Sequence, residues 1–466
     1  MSRTGTRERT EFPVAAHWRP AIDRDTDVLY RAIVAALRTS IRSGELRPGD
    51  RLPTHRSLAR QLGVTVSTVS QAYAEANRLH LVSGQVGRGT FVLGEAVDAA
   101  LFESTFVDRN GDNAETIRAH IDLSSNVPAK RPDDLDLART LTDVVETAQC
   151  DTGYLCPRGI ERGRAVMNDL LLARGYAARR NEIVLTAGAQ QGLLAALITV
   201  VGAGGRVLVE ELSFPGMKSA VRHLNLQAHG VRMDEYGALP RELERLAKRT
   251  GAKTFICVPS LHNPTGATMN DERRADIAGV ARRLQLTLIE DDVYGLLQDE
   301  PSLVSVAPEH TIMVTSLSKT VAPALRLGAL AGRHPALAQV ARETSLTSWV
   351  LSPTMVEVAM RWHGTGTMAS RIAWQRYEIA ARSAIVDAEL GRNGIVSPHR
   401  WLATQTPPDR AAELAALAGV EVVPGSALAF GTTATKGIRL SLTAARSRSE
   451  LHEAITRLRS TSIRWA

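Results

Sequence analysis

Residues 311–326 read TIMVTSLSKTVAPALR. The opening TIMVTS has the length and apolar content of a strand, and SLSKT, Ser316–Thr320, follows it directly. A lysine among small hydroxyl side chains suits a Schiff base with an aldehyde cofactor, because its compact ammonium on a flexible stem deprotonates readily when buried. Ser316 and Ser318 can donate to a phosphate. Arg326, seven residues after Lys319, supplies the fixed charge that a phosphate dianion needs. A lone SxSK is more often a surface lysine beside serines, so the reading depends on its neighbours.

Those neighbours have the same chemistry. LIEDDVYGLL, residues 288–297, ends a strand in carboxylates, with Tyr294 three residues after Asp291. A buried carboxylate opposite a pyridine nitrogen keeps that nitrogen protonated, so the ring acts as an electron sink; Tyr294 can then bond the ring's phenolic oxygen. HNPTGATM, residues 262–269, sets Asn263 before a stiff Pro-Thr-Gly turn, a second donor to the same oxygen. TAGAQQG, residues 186–192, follows the run EIVL and opens a helix, which aims the N–H groups of Gly188 and Ala189 at a phosphate. EELSFPG offers Phe214 for stacking on a ring. KGIRLSL carries Arg439 in a C-terminal strand, where its guanidinium can clamp a carboxylate. Singly, each has a plain alternative: solvated acids, an ordinary turn, a core phenylalanine, a structural arginine.

From Ala119 onward, β-rich runs (EIVLTAG, RVLVEE, KTFICVPS, LTLIEDD, TIMVTS) alternate with helical stretches. That alternation predicts an α/β domain on a mainly parallel sheet flanked by helices, with a smaller C-terminal α+β part. The first fifth of the chain differs. Residues 1–94 hold 14 Arg and no Lys against 8 acidic residues, a net of +6 out of the formal +7, and the remainder is nearly neutral. Such an imbalance is the footprint of a nucleic-acid-binding head. In VLYRAIVAALRTSIR, residues 28–42, Leu29, Ile33, Ala36, Leu37 and Ile41 share one helical face. Gly44 and Pro48-Gly49 force turns, and SLARQLG reads as a short helix stopped by Gly63. A second helix follows, capped by Thr65 or Ser67. This is helix-turn-helix grammar, with the second helix destined for the major groove. VSGQVGRGTFVLG reads as a hairpin wing turned by Gly84, Gly87 and Gly89.

The expected organisation is therefore an extension over 1–26, a winged helix-turn-helix domain over 27–93, a polar linker over 94–118 and the large domain over 119–466. Cys150, Cys156 and Cys257 form no CxxC pair and no disulfide framework, which fits a reducing cytoplasm. No apolar run is long enough to span a bilayer, and no metal site is expected.

The head resembles the winged-helix domain of GntR-type regulators, through G-x-L-x-P-G-x-x-L-P from Gly44 to Pro53, then L-G-V, T-V, A-Y and G-x-G-T-F-V. The resemblance implies DNA contacts from Arg56, Arg60, Ser67, Thr68 and Arg88. Val66 stands where many relatives carry Arg, which removes one contact. The large domain resembles the fold-type I aminotransferases of class I, through the ordered series Tyr154, Gly159, Gly188-Ala189, Phe214, Asn263-Pro264-x-Gly266, Asp291-x-x-Tyr294, Ser316-x-Ser318-Lys319, Arg326 and Arg439. That likeness implies pyridoxal 5'-phosphate as cofactor, bonded to Lys319, with Asp291 on the pyridine nitrogen and Asn263 and Tyr294 on O3'. It further implies a phosphate held by Gly188, Ala189, Ser316, Ser318 and Arg326, with Tyr154 reaching in from a partner subunit. Phe214, the stacking ring, stands where Tyr is common. Arg439 takes the α-carboxylate of an amino acid.

The fusion of the two resembles the MocR subfamily, and IDLSSNVP, residues 121–128, is similar to the segment that opens its large domain. The subfamily implies a transcription regulator that binds double-stranded operator DNA and senses an amine, an amino acid or pyridoxal phosphate itself. It also implies a homodimer and allows a head-to-tail arrangement. A genuine aminotransferase with a regulatory or vestigial head is the competing expectation, since the lysine, aspartate and arginine of the site are all present.

Overall fold

The computed structural model describes residues 18–20, 29–42, 45–46, 50–78, 81–85, 89–92, 120–147, 153–347, 351–391, 394–430 and 436–466. Contacts divide the chain into two units, Met1–Val107 and Asp108–Ala466.

In the first unit, α1 (Leu29–Arg42), α2 (His55–Leu62) and α3 (Val66–Arg78) surround one apolar core. Ile33 and Leu37 of α1 are fully buried, each worth about 2–3 kcal/mol against exposure. Thr54 caps α2 by accepting from Ser57 N–H at 3.3 Å, and Gly63, at φ 65°, ends it in the left-handed conformation open to glycine. Of the two candidate caps for α3, Thr65 does the work: its Oγ1 accepts from Thr68 N–H at 3.1 Å, while Ser67 lies inside the helix. β1 (Val82–Gln85) and β2 (Gly89–Val92) form the hairpin, and residues 50–52 bond to its outer edge through Leu52 N–H to Thr90 O and Val92 N–H to Asp50 O. Two glycines expected in the turn, Gly84 and Gly89, belong to the ladder instead, because the paired strands run further toward the tip than the glycine spacing suggests. Trp18, in the stretch read as an extension, is buried in this core and donates from Nε1 to Ser40 Oγ at 2.8 Å. The core thus reaches below residue 27. Arg88, Gly87 and the expected linker at 94–118 lie outside the described residues.

The second unit opens with β3 (Ile121–Asp122) and is built on a seven-stranded sheet. Its strands are β4 (Ile183–Thr186), β5 (Arg206–Glu210), β6 (Gln227–Val231), β9 (Thr254–Cys257), β10 (Thr287–Asp291), β11 (Thr311–Ser316) and β12 (Gly328–Ala331). A two-stranded ribbon, β7 (Met233–Asp234) with β8 (Gly237–Ala238), follows β6. The sheet order is β4-β12-β11-β10-β9-β5-β6, and β12 alone runs antiparallel to its neighbours. β9, β11 and β12 are buried along their whole length, as expected for a sheet covered by helices on both faces.

A smaller part carries β13 (His399–Ala403), β14 (Val420–Glu421), β15 (Val423–Pro424) and β16 (Gly437–Ser441). β13, β16 and β15 form an antiparallel sheet, and β14 pairs in parallel with β3. The opening of the unit is thereby sewn into its C-terminal part: Leu123 N–H donates to Glu421 O, and Ser441 N–H to Leu123 O at 2.7 Å. That anchoring brings Ser124 and Asn126 within hydrogen-bond reach of Arg439 and Lys319. Among the described residues no helix is long and apolar enough to cross a membrane, and no cluster of three His, Cys, Asp or Glu is placed to hold a metal ion.

Candidate functional site

The β ladder sets Thr186, Gly328 and Ser316 opposite one another, and Asp291 closes β10 opposite Val314. Because β12 is antiparallel, its first residue lies at the edge where the parallel strands end. Ligands of open α/β sheets gather at that carboxyl edge.

Beyond Ser316 the chain returns tightly, with Leu317 N–H donating to Leu327 O at 2.9 Å. Arg326 adopts φ 45°, an uncommon conformation for a non-glycine residue. From there its Nη2 donates to Ala187 O at 3.0 Å, beside Gly188. Gly188 has φ 89° and precedes the helix Ala189–Val200; a Cβ on it would stand 2.8 Å from Arg326 Nη2. The backbone conformation favours glycine, and a side chain here would also displace the Arg326 guanidinium. Ser316 Oγ accepts from Ser318 N–H at 3.4 Å, while Ser318 Oγ is buried with no hydrogen-bond partner among the described residues. A guanidinium, an unsatisfied hydroxyl and a helix N-terminus converge here, a donor set that a phosphate dianion satisfies. This end of the site fits the phosphate of pyridoxal phosphate.

Lys319 is half-buried and its Nζ donates to the backbone oxygen of Asn126. Desolvation of the ammonium, then the charges of Arg439 and Arg326, draw it down to about 8 against the opposing pull of Asp291. A lysine so placed is neutral in roughly a tenth of molecules at pH 7, several hundred times the fraction for an ordinary lysine. Asp291 is displaced the other way. Burial pushes its carboxyl up to about 7, opposed by the Val293 N–H at 3.3 Å and by Lys319.

The adjacent Asp292 is spent elsewhere. Arg174 grips it with Nε on Oδ2 at 2.9 Å and Nη2 on Oδ1 at 3.1 Å, both residues buried. Glu290 accepts the N–H groups of Leu303 and Val304 at 2.6 and 2.7 Å, and burial raises it to about 8. Alternation along a strand separates Asp291 from the face shared by Glu290 and Asp292. Asp291 is thus the carboxylate of this run whose charge reaches Lys319 most directly.

At the far end Arg439, on β16, is fully buried and lowered by that burial to about 10. Its Nη1 donates to Asn263 Oδ1 at 3.2 Å and its Nη2 to Ser124 O, while Nε has no partner among the described residues. Tyr294 is buried, which raises its hydroxyl, and that hydroxyl accepts from Asn126 Nδ2 at 3.3 Å. Three residues here carried no assigned role in the sequence reading: Ser124, Asn126 and His399. The His399 ring meets Tyr294 edge-on at 5.4 Å, its Nε2 lies 2.8 Å from His262 O, and burial lowers it to about 3. The segment IDLSSNVP drew notice for its likeness alone; nothing in PHRW marks His399.

Other expected residues are less tightly joined. Ala189 begins its helix and packs, half-buried, against the small cluster that includes Tyr294. Phe214 precedes the helix Pro215–His223, half-buried against the sheet's core. Tyr154 is 74% exposed. In the first unit Arg56 and Arg60 lie one turn apart on α2, exposed, with Ser67 and Val66 exposed at the start of α3. Thr68 is half-buried, and its hydroxyl lies 2.8 Å from Thr65 Oγ1.

Residues 119–458 match the family model for aminotransferase class I and II, and residues 29–92 that for bacterial regulatory proteins of the gntR family. The chain is 28% identical over 459 residues to an uncharacterized HTH-type transcriptional regulator, YdeF, of Bacillus subtilis, covering 95% of this chain and 96% of that protein. It is 27% identical over 448 residues to the vitamin B6 salvage pathway transcriptional repressor PtsJ of Salmonella typhimurium, covering 91% and 98%. Among solved structures, an archaeal alanine:glyoxylate aminotransferase superposes with a TM-score of 0.70 at 21% identity, covering 78% of this chain and 94% of that one. Kynurenine aminotransferase of Pyrococcus horikoshii does so with a TM-score of 0.67 at 22% identity, covering 78% and 97%. These two likenesses speak to the fold of the body.

Proposed function

We propose, for a chain that belongs to the aminotransferase class I and II family and carries a GntR-type head in the arrangement of the MocR subfamily, a DNA-binding transcription regulator whose body holds pyridoxal 5'-phosphate and reads an amino compound, or the cofactor itself. The observation that carries this reading is the gathering, at the carboxyl edge of the sheet, of Lys319 with its Nζ on Asn126 O, buried Asp291 at the end of β10, and Arg326 beside Gly188. Lys319 would bond the cofactor's aldehyde, Asp291 would face its pyridine nitrogen, and Tyr294 and Asn263 would flank its phenolic oxygen. Gly188, Ala189, Ser316, Ser318 and Arg326 would hold its phosphate, and Phe214 would stack on its ring. When bound, the cofactor supplies an electrophilic carbon for amines and a ring that withdraws electrons.

The protein's own residues supply the rest. Lys319 presents an amine that gives up its proton more readily than an ordinary lysine. Arg439, desolvated and tethered between Asn263 and Ser124, offers its remaining N–H donors to a ligand carboxylate. In the head, exposed Arg56, Arg60 and Ser67, with Thr68 and Arg88, would contact operator DNA, the arginines through phosphates or guanine edges. A homodimer, head-to-tail in its simplest form, would bring two heads to two half-sites. The 74% exposure of Tyr154 supports a role at the phosphate of a partner subunit.

Because the site keeps its lysine, aspartate and arginine, a working aminotransferase with a regulatory head is the second reading. Borohydride reduction of the yellow protein, followed by peptide mapping, tests the site: the trapped cofactor belongs on Lys319 and is absent from Lys319→Ala. Trapping on Lys253 or another lysine would overturn the assignment.

A further inference from the structure

Asn126 stands where three constraints meet. Its backbone oxygen receives Lys319, and its side-chain Nδ2 lies 3.3 Å from Tyr294 Oη and 3.4 Å from His399 Nδ1. The orientation of the amide follows from the histidine. His399 Nε2 lies 2.8 Å from the carbonyl oxygen of His262 and must carry a proton to bond it, and burial keeps the ring neutral. Its Nδ1 is then an acceptor, so the amide turns Nδ2 toward it and toward Tyr294. Oδ1 is left buried with no hydrogen-bond partner among the described residues. An unsatisfied acceptor of this kind is uncommon in a folded interior and calls for an explanation.

The surroundings define what satisfies it. Asn126, Lys319 and Tyr294 line a narrow recess of about 10 Å³, room for a single hydroxyl-sized group, and its other polar side chains are committed. Gln375 is closed on Ala129 in both directions, Nε2 to O at 2.7 Å and N–H to Oε1 at 3.2 Å. The Thr443 hydroxyl donates to Val127 O at 2.6 Å. The remaining wall is apolar, as at Ile379 and Pro398. A carboxylate set against Oδ1 would meet an acceptor with an acceptor. A second ammonium would lie in the field of Lys319 and Arg439. A neutral O–H or N–H suffers neither penalty.

We infer that Asn126 is a ligand-selecting residue, oriented by His399, whose free carbonyl oxygen accepts a hydrogen bond from a hydroxyl or amide carried next to the amine of the bound compound. The site thus prefers hydroxylated or amidated amines and amino acids over their alkyl counterparts. This deepens, and rests on, the reading of the body as a pyridoxal-phosphate-dependent amine sensor.

Isosteric pairs test it: serine against 2-aminobutyrate, and 2-aminoethanol against propylamine. Each is titrated into the cofactor-loaded full-length protein, followed by the visible band and by calorimetry. The wild type should bind the hydroxyl member about five- to tenfold more tightly, the usual worth of one uncharged hydrogen bond. Asn126→Ala should bring both ratios close to one. The ratio within one variant is insensitive to how much cofactor that variant holds. Equal affinities in the wild type, or a ratio that survives in Asn126→Ala, would each overturn the inference while leaving the sensor reading intact. Failure of the wild type to gain a visible band with pyridoxal phosphate would instead remove both.

Discussion

Replacing Asp291 by Asn should make the cofactor-free protein more stable, not less, and only above mildly acidic pH. The carboxyl titrates near 3.8 when unfolded and at about 7 when folded, because burial penalises its charged form. For a group raised in this way the folded state gains its full relative stability below pH 3.8 and loses it as pH rises from there to about 7. A displacement of three pKa units corresponds to about 4 kcal/mol at pH 8. Asn is isosteric with the protonated acid and keeps an oxygen for the Val293 N–H at 3.3 Å, so it escapes the loss. For a unit of this size, 4 kcal/mol amounts to about 5 °C in Tm. Calorimetry of apo wild type and apo Asp291→Asn between pH 5 and 8 reads the effect directly. The Tm gap should widen steadily with pH and level off above 7. An Asn variant equal to or less stable than the wild type at pH 8, or a gap that does not grow with pH, would refute the argument that Asp291 is a strained, functionally retained carboxylate.

Asp292→Ala should behave in the opposite way: it strands the buried Arg174 guanidinium and should cost about 3–5 kcal/mol at every pH from 5 to 8, seen as a lower Tm. A harmless Asp292→Ala would mean that the roles of the two aspartates are exchanged. Acylation of apo protein should label Lys319 with a rate that rises through about pH 8, where its neutral form becomes dominant; a profile rising only near 10.5 would show that the amine is not desolvated. In the head, Thr65→Ala should cost about 1 kcal/mol by removing the cap of α3, measured by denaturation of the full chain. Arg56→Ala and Arg60→Ala should weaken operator binding, and a phosphate contact should lower the salt slope by about one for each residue. An unchanged slope in both variants would remove α2 from the backbone contacts.

The strands that were legible in the sequence are the dense apolar ones. TIMVTS, TLIED, TFIC, RVLVE and IVLT all belong to the central sheet. Two members escaped notice for physical reasons. β12 is GALA, small residues at a crowded position where a Cβ on Gly328 would stand 2.6 Å from Thr315 O, and β6 is QAHGV, an edge strand that does not need two apolar faces. Motif order singled out Lys319, Asp291, Gly188 and Arg326, each at a strand end or turn that chain-local rules recognise, and Arg439 within a C-terminal strand. Asn126 and His399 could not be found that way. They reach the site through the pairing of β3 with β14 and of β13 with β16, contacts between segments nearly 300 and about 40 residues apart respectively, which no local pattern encodes. Trp18 escaped for the same reason, being fixed by a long-range bond to Ser40.

On the proposed function, what happens at Lys319 governs what the head does on DNA. An effector shifts a protein only by binding two of its conformations unequally. Apo protein should therefore be loaded with pyridoxal phosphate and then titrated with an amino compound, while the visible spectrum and operator affinity are recorded in the same samples. Both should change with one midpoint, Lys319→Ala should lose both responses while keeping basal DNA binding, and Arg439→Ala should blunt both for a carboxylate ligand. A ligand that is rapidly transaminated while operator affinity stays constant at saturation, or a normal DNA response in Lys319→Ala, would contradict the proposal.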